Sequence, residues 1–140
     1  IFPGISDAGP TGGYNYWQHP ELYERDRDTF RRYLPAIHAL ATAGWEPVTH
    51  ARCDTEGLWV ERYGPAADGR LHFSLRSEGA ARSGTLTVDL AALGLTGRVS
   101  ALRDLVSGDA IEAQRAAGTL TLPVAVEADR SAALVIEFDQ

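Results

Sequence analysis

The spacing of apolar side chains changes once along this chain, across the stretch Gly44–Gly64 (GWEPVTHARCDTEGLWVERYG), and that change limits the folds open to it. Ahead of the stretch, Leu22, Tyr23, Phe30, Tyr33, Leu34, Ile37, Leu40 and Ala41 recur at steps of three and four, with the polar Asp26 in the same series. Beyond it, apolar residues alternate with polar ones. Steps of three and four keep side chains on one face of a helix, whereas a step of two keeps them on one face of a strand, so neither segment can continue the structure of the other. The sequence therefore predicts one long helix followed by an all-β tail.

Pro20 suits the first helical position, with Gln18 or His19 at the start. Glu21 and Glu24 fall in the first turns, where the positive end of the helix dipole favours acids. Gly44 is placed to follow the last turn, because glycine takes the left-handed backbone there without strain. Pro35 removes a backbone donor, and a kink or break is expected at it. Arg25, Asp28 and Arg32 lie on the opposite face, so this helix is expected to pack on a larger body on one side only.

In the tail, Leu58, Val60 and Arg62 share one strand face, with Trp59, Glu61 and Tyr63 on the other. Leu71, Phe73 and Leu75 repeat the pattern, as do Leu86, Val88 and Leu90, then Leu120, Leu122, Val124 and Val126, then Leu134, Ile136 and Phe138. Between them, Val99 to Val106 reads as a strand, and Ala110 to Ala113 as its return after a Ser107-Gly108-Asp109 turn. Six to eight short strands with regular turns describe a mainly β fold, an antiparallel β-sandwich.

Net charge and composition exclude several roles. With a formal charge of −6 and its arginines scattered or paired with acids, the chain offers no basic face for nucleic acid. No apolar run approaches the roughly 20 residues that cross a bilayer, so no membrane partner is expected, and no signal peptide remains to be read. Cys53 is the single cysteine; it forms no intrachain disulfide and leaves the compartment undetermined. His19, His38, His50 and His72 lack metal-ligand spacing, so no metal site or cofactor is expected. His38 and His72 are placed on solvated faces. Gly12-Gly13 lacks the residues of a phosphate loop. The chain contains no Met, so Ile1 is not expected to be an encoded start, and further protein is expected upstream.

Two stretches carry a resemblance. YWQHPELYERDRDTFRRYLPAIHALATAGWEPVTHAR resembles the last helix of a (β/α)8-barrel glycoside hydrolase and its exit into the next domain. The tail, with LHFSL, LTVDL, the phrase Asp104-Leu105-Val106-Ser107-Gly108 and the closing GTLTLPVAVEADRSAALVIEF, resembles the β-sandwich that ends many such enzymes. The resemblance implies residues 1–45 as the end of the catalytic barrel, 46–57 as a junction and 58–140 as an accessory β-sandwich bracing that barrel. It implies a catalytic barrel upstream and a carbohydrate substrate as partners. Glycosidases need paired carboxylates, supplied in barrel enzymes at strand ends. Seven barrel strands lie outside this sequence, so no catalytic residue is assigned here.

Within that frame, residues 7–18 form the loop after the last barrel strand, which faces the active site. Tyr14, Tyr16 and Trp17 then either stack on sugar rings or plug the loop against its own helix. Asp7 either positions a hydroxyl or forms a turn; His19 reads as a helix-start residue. Glu61 and Arg62 point to opposite faces of one strand and pair with neighbours or with the barrel. Trp45 and Trp59 are expected to seal the junction between barrel and sandwich. The alternative is a non-catalytic carbohydrate-binding or adhesion module, whose candidate surface is the Trp59–Tyr63 strand face. A self-standing domain, with the helix packed on its own sandwich, fits the length as well.

Overall fold

Residues Pro20–Ala43 form a single α-helix, α1, in the computed structural model, which describes residues 19–65 and 69–139. Its ends follow from the sequence. The Leu22 amide donates to the His19 carbonyl at 3.0 Å, and the His19 ring nitrogen Nδ1 lies 3.0 Å from Glu21 Oε1. At the other end Gly44 takes φ +84° and its amide donates to the Leu40 carbonyl at 3.2 Å. The helix runs through Pro35 as one element, so the break that its missing donor allows does not occur. Pro35 is exposed, and water can satisfy the Arg31 carbonyl that has no amide partner four residues on.

The division of the chain into two compact units, Ile1–Leu34 and Pro35–Gln140, falls within this helix. In the first unit, Tyr23 and Phe30 stack with ring centroids 6.1 Å apart, and the Arg27 guanidinium lies 5.2 Å from the Tyr23 centroid. Arg27 also pairs with Glu24, and Arg25 donates two hydrogen bonds to Asp26, at 2.8 and 2.7 Å. These are exposed pairs, each of small worth to stability. Ala36 is the one buried residue of α1. Its apolar stripe is otherwise partly open, with Tyr23, Leu34 and Ile37 between 40% and 50% exposed.

In the second unit the strands are β1 (Trp45–Glu46), β2 (Ala51–Cys53), β3 (Leu58–Tyr63), β4 (Leu71–Ser77), β5 (Arg82–Asp89), β6 (Val99–Asp104), β7 (Gln114–Ala116), β8 (Thr119–Val126) and β9 (Ser131–Phe138). They build two antiparallel sheets, in the orders β1-β3-β4-β9-β6 and β2-β5-β8-β7. This is the mainly β, two-sheet sandwich behind a helix that the change of period predicts. The core is the set of inward alternating positions. Leu58, Leu71, Phe73, Leu75, Leu102, Leu134 and Ile136 come from one sheet; Leu86, Val88, Leu120, Leu122, Val124 and Val126 come from the other. Burying each such side chain contributes about 1.5–3 kcal/mol.

Three details differ from what alternation foretells. β1 straddles the boundary between 1–45 and the 46–57 stretch that reads as a junction, and β2 lies inside that stretch; each forms the edge of a sheet, and strands of two and three residues are too short to show a period. The return after β6 is not a strand over 110–113. Ala110 makes one bridge to Arg103, and the strand comes later, as β7, paired with β8. His72 does not sit on a solvated face: it is 5% exposed. The burial is local to the β4–β9 pairing around His72, since Trp59 and Arg76 on the same outer side stay exposed. Val135 and Ala133, on the same outer side as His72, are 1% and 5% exposed. His38 is exposed, as expected.

Candidate functional site

One face of the sandwich carries large aromatic side chains in water. Alternation along β3 puts Trp59, Glu61 and Tyr63 on the outer side of the five-stranded sheet, away from Leu58 and Arg62. In β1, Trp45 is the cross-strand partner of Tyr63, so its side chain joins the same face. Its indole Nε1–H donates to Glu61 Oε2 at 2.7 Å. From β4, Arg76 stands opposite Trp59, and Ser74 opposite Glu61. The Tyr63 hydroxyl and Ser74 Oγ are 3.5 Å apart, and Arg76 faces Glu78 at 3.8 Å. Trp45 is 58% and Trp59 62% exposed. The two tryptophans stand open on a common surface, with the Glu61 carboxylate on the same side.

The opposite face of β3 explains why β1 sits where it does. Arg62 is 5% exposed and ends the row of inward side chains. Its Nε and Nη2 donate to the Val48 carbonyl at 3.0 and 2.8 Å, and its Nη1 donates to the Gly64 carbonyl. Glu46 Oε2 lies 3.6 Å from the same guanidinium. One buried arginine thus satisfies carbonyls on both sides of the turn and pins the segment that carries Trp45. A buried cation needs such partners, because leaving it bare costs several kcal/mol. Glu61 and Arg62 therefore pair with neighbours on opposite faces, as their positions foretell.

A second clamp holds β5 at Thr85. Asp54 Oδ1 accepts the Thr85 amide at 2.7 Å and the Thr55 hydroxyl at 3.1 Å. The Thr85 amide above all holds the Asp54 carboxyl below its ordinary value, aided by Thr55 and opposed by partial desolvation. The turn rests directly on Gly84, where a Cβ would meet Thr55 Oγ1 at 2.2 Å.

At the other end of the sandwich two open hollows of about 470 and 480 Å³ flank Ile111. The first includes Arg98 and Arg115; the guanidinium of Arg115 is committed to the carbonyls of Leu95, Thr96 and Gly97. The second includes Asp104, Asp109 and Glu112. Here Asp104 Oδ1 accepts the amides of Val106 and Ser107 at 2.6 and 2.8 Å. The phrase Asp104-Leu105-Val106-Ser107-Gly108 is therefore a turn closed by its own aspartate. Among the described residues no group of three or more His, Cys, Asp or Glu is placed to hold a metal ion.

The residues singled out for sugar contact, Asp7, Tyr14, Tyr16 and Trp17, lie outside the described residues. Within them, the structure brings Trp59 and Tyr63 together as their spacing predicts and adds Trp45 and Glu61. Sequence reasoning did not place Trp45 on this face, because its place depends on a pairing with Tyr63, eighteen positions later. Chemically this face offers stacking surfaces and hydrogen-bonding groups.

No family model and no curated protein sequence matches this chain. Among solved structures, alpha-L-fucosidase isoenzyme 2 from Paenibacillus thiaminolyticus is similar to it, with a TM-score of 0.51 and 12% sequence identity. The match covers 65% of this chain and 16% of that one, so this chain corresponds to a small part of the fucosidase. At that identity the likeness is one of fold.

Proposed function

We propose that the chain is the C-terminal portion of a glycoside hydrolase. In this reading residues 1–45 are the last loop and helix of the catalytic barrel, 46–57 a junction and 58–140 a β-sandwich that braces the barrel. The loop bearing Asp7, Tyr14, Tyr16 and Trp17 lines the sugar cleft, and carboxylates upstream carry out the chemistry. The observation that carries the proposal is the open stripe of α1: Tyr23, Leu34 and Ile37 are 40%, 49% and 50% exposed on a helix that buries Ala36 alone. An amphipathic helix stays folded by packing its apolar face, so a stripe left open in the chain is a stripe for another body. The fold likeness to part of an alpha-L-fucosidase supports the same reading.

Sequencing the coding region upstream of the Ile1 codon tests it. Several hundred codons of alternating strands and helices, with Asp or Glu at two strand ends, are expected. A region that encodes a signal peptide and nothing more would overturn the proposal.

A further inference from the structure

We propose that the rim of β8 beyond β7 receives a short basic peptide in extended conformation. The peptide pairs with the backbone at Pro123 and Ala125 and sets a lysine or arginine among Asp104, Asp109 and Glu112. This goes beyond the barrel reading and does not depend on it.

The backbone selects a peptide. β7 ends where Gln114 meets Thr121, so its pairing with β8 stops there. The hydrogen bonds of Thr85 show which groups this leaves over. Its amide donates to Asp54 Oδ1 and its carbonyl accepts the Asp54 amide at 3.2 Å, so Thr85 turns its backbone groups to the β2 side. Backbone groups alternate in direction along a strand, so Gly84 and Leu86 turn theirs to β8, toward their partners Val124 and Leu122. Pro123 and Ala125 pair in register with Thr85 and Ser83, and they turn their groups the other way, to the rim. A proline suits that direction, because it has no amide to leave bare. The rim therefore offers the Pro123 carbonyl and both the amide and the carbonyl of Ala125, on two exposed residues. An extended peptide supplies the matching donors and acceptor, as in strand addition to a sheet edge.

The hollow beside the rim selects the side chain. Of the two hollows that flank Ile111, the one of about 480 Å³ is lined by Pro123, Val124 and Ala125 themselves. Leu134 and Ile111 give it apolar wall, and Asp104, Asp109 and Glu112 give it carboxylates. Among the described residues none of these three acids is in an ion pair. Side chains alternate along an added strand, so a residue opposite Val124 points as Val124 does, between the sheets. A lysine or arginine there lays its stem on the apolar wall and brings its head to the carboxylates. An acidic side chain in the same place is repelled, and the net charge of −6 on the whole chain extends that preference to the approach of the peptide.

Titration of the isotope-labelled chain with an end-capped heptapeptide of alternating threonine and lysine, followed by amide NMR, tests the proposal. The Ala125 amide is expected to shift downfield and saturate, while the Val124 amide, already bonded to β5, moves less. The same heptapeptide with glutamate in place of lysine should bind at least about tenfold more weakly, because like charges then meet. A threonine–lysine peptide methylated at alternate amide nitrogens keeps its charge and loses its donors, and it should weaken by about fivefold or more. Ala125→Pro removes the rim amide and leaves the β5–β8 ladder whole; it should cost about fivefold, the size of one hydrogen bond. Glu112→Gln should cost about twofold, as an exposed ion pair does, and it leaves the backbone untouched if the proline variant fails to fold. Absence of a saturable shift at Ala125, or equal binding by the glutamate or the methylated peptide, overturns the proposal. So does an Ala125 amide that shifts with protein concentration before peptide is added, since the rim then holds a second copy of the chain.

Discussion

On β3 the inward positions Leu58 and Arg62 are 7% and 5% exposed, while Trp59 between them on the outward side is 62% exposed. On the inward face Leu58 is closed in by apolar neighbours and Arg62 by carbonyls. The outward face holds side chains of equal or larger apolar area and leaves them in water. The contrast separates two tasks along one strand: the inward residues make the sandwich fold, and the outward aromatics are free to serve a partner. Substitutions on the two faces should therefore differ in kind, one moving stability and the other moving binding.

The strongest way to sharpen that contrast is Phe73→Ala, at a site 0% exposed between Arg62 and Leu134 across the sheet. It should cost about 3–5 kcal/mol in a urea titration, through lost burial and the cavity left behind. Next comes Arg62→Met, which keeps the stem and removes the donors from the Val48 and Gly64 carbonyls. A loss of about 1–3 kcal/mol is expected from leaving such groups without partners, and a neutral result would show that water replaces the guanidinium and break the division of labour. Trp59→Ala should change the same titration by no more than about 0.5 kcal/mol, as exposed positions usually do. A larger loss would mean that the outer face also holds the sheet together.

The smallest effect concerns acid. The Asp54 carboxyl is held below its ordinary value mainly by the Thr85 amide. Its contribution is fully present above the pKa of an unfolded aspartate, about 3.9, and is lost as pH falls through the lower folded value. In urea titrations from pH 7 downward, the gap between the native chain and Asp54→Asn should hold steady until the ordinary aspartate range and then narrow. A gap independent of pH would show that the turn is held without the charge.

Much of the β fold was legible because each long strand repeats its pattern several times: β8 places Leu120, Leu122, Val124 and Val126 inward without exception. What was not legible depends on elements too short or too distant to leave a pattern. β1 has two residues, and Trp45 reaches the aromatic face through a cross-strand partner, Tyr63, eighteen positions later. His72 reads as an outward residue, which it is, but alternation says nothing of whether a strand lies at the rim or the middle of its sheet. Along β4 the outward side chains run from buried His72 through half-buried Ser74 to exposed Arg76, a gradient that alternation does not carry. Of the candidate site, Trp59 and Tyr63 could be read from one strand, whereas Trp45 and the Trp45–Glu61 bond needed the register of the sheet.

The strands at the rims of the two sheets have a consequence for behaviour in crowded solution. Three of the four terminal strands, β1, β2 and β7, run for two or three residues. The fourth, β6, is shielded where the Ala110 bridge meets Arg103 and the Ile111 amide donates to the Leu102 carbonyl. Beyond β7, the stretch of β8 left at the rim contains Pro123, which has no amide hydrogen to offer. A neighbouring molecule that pairs with β1, β2 or β7 meets at most three consecutive residues, a poor template for cross-β growth at those strands.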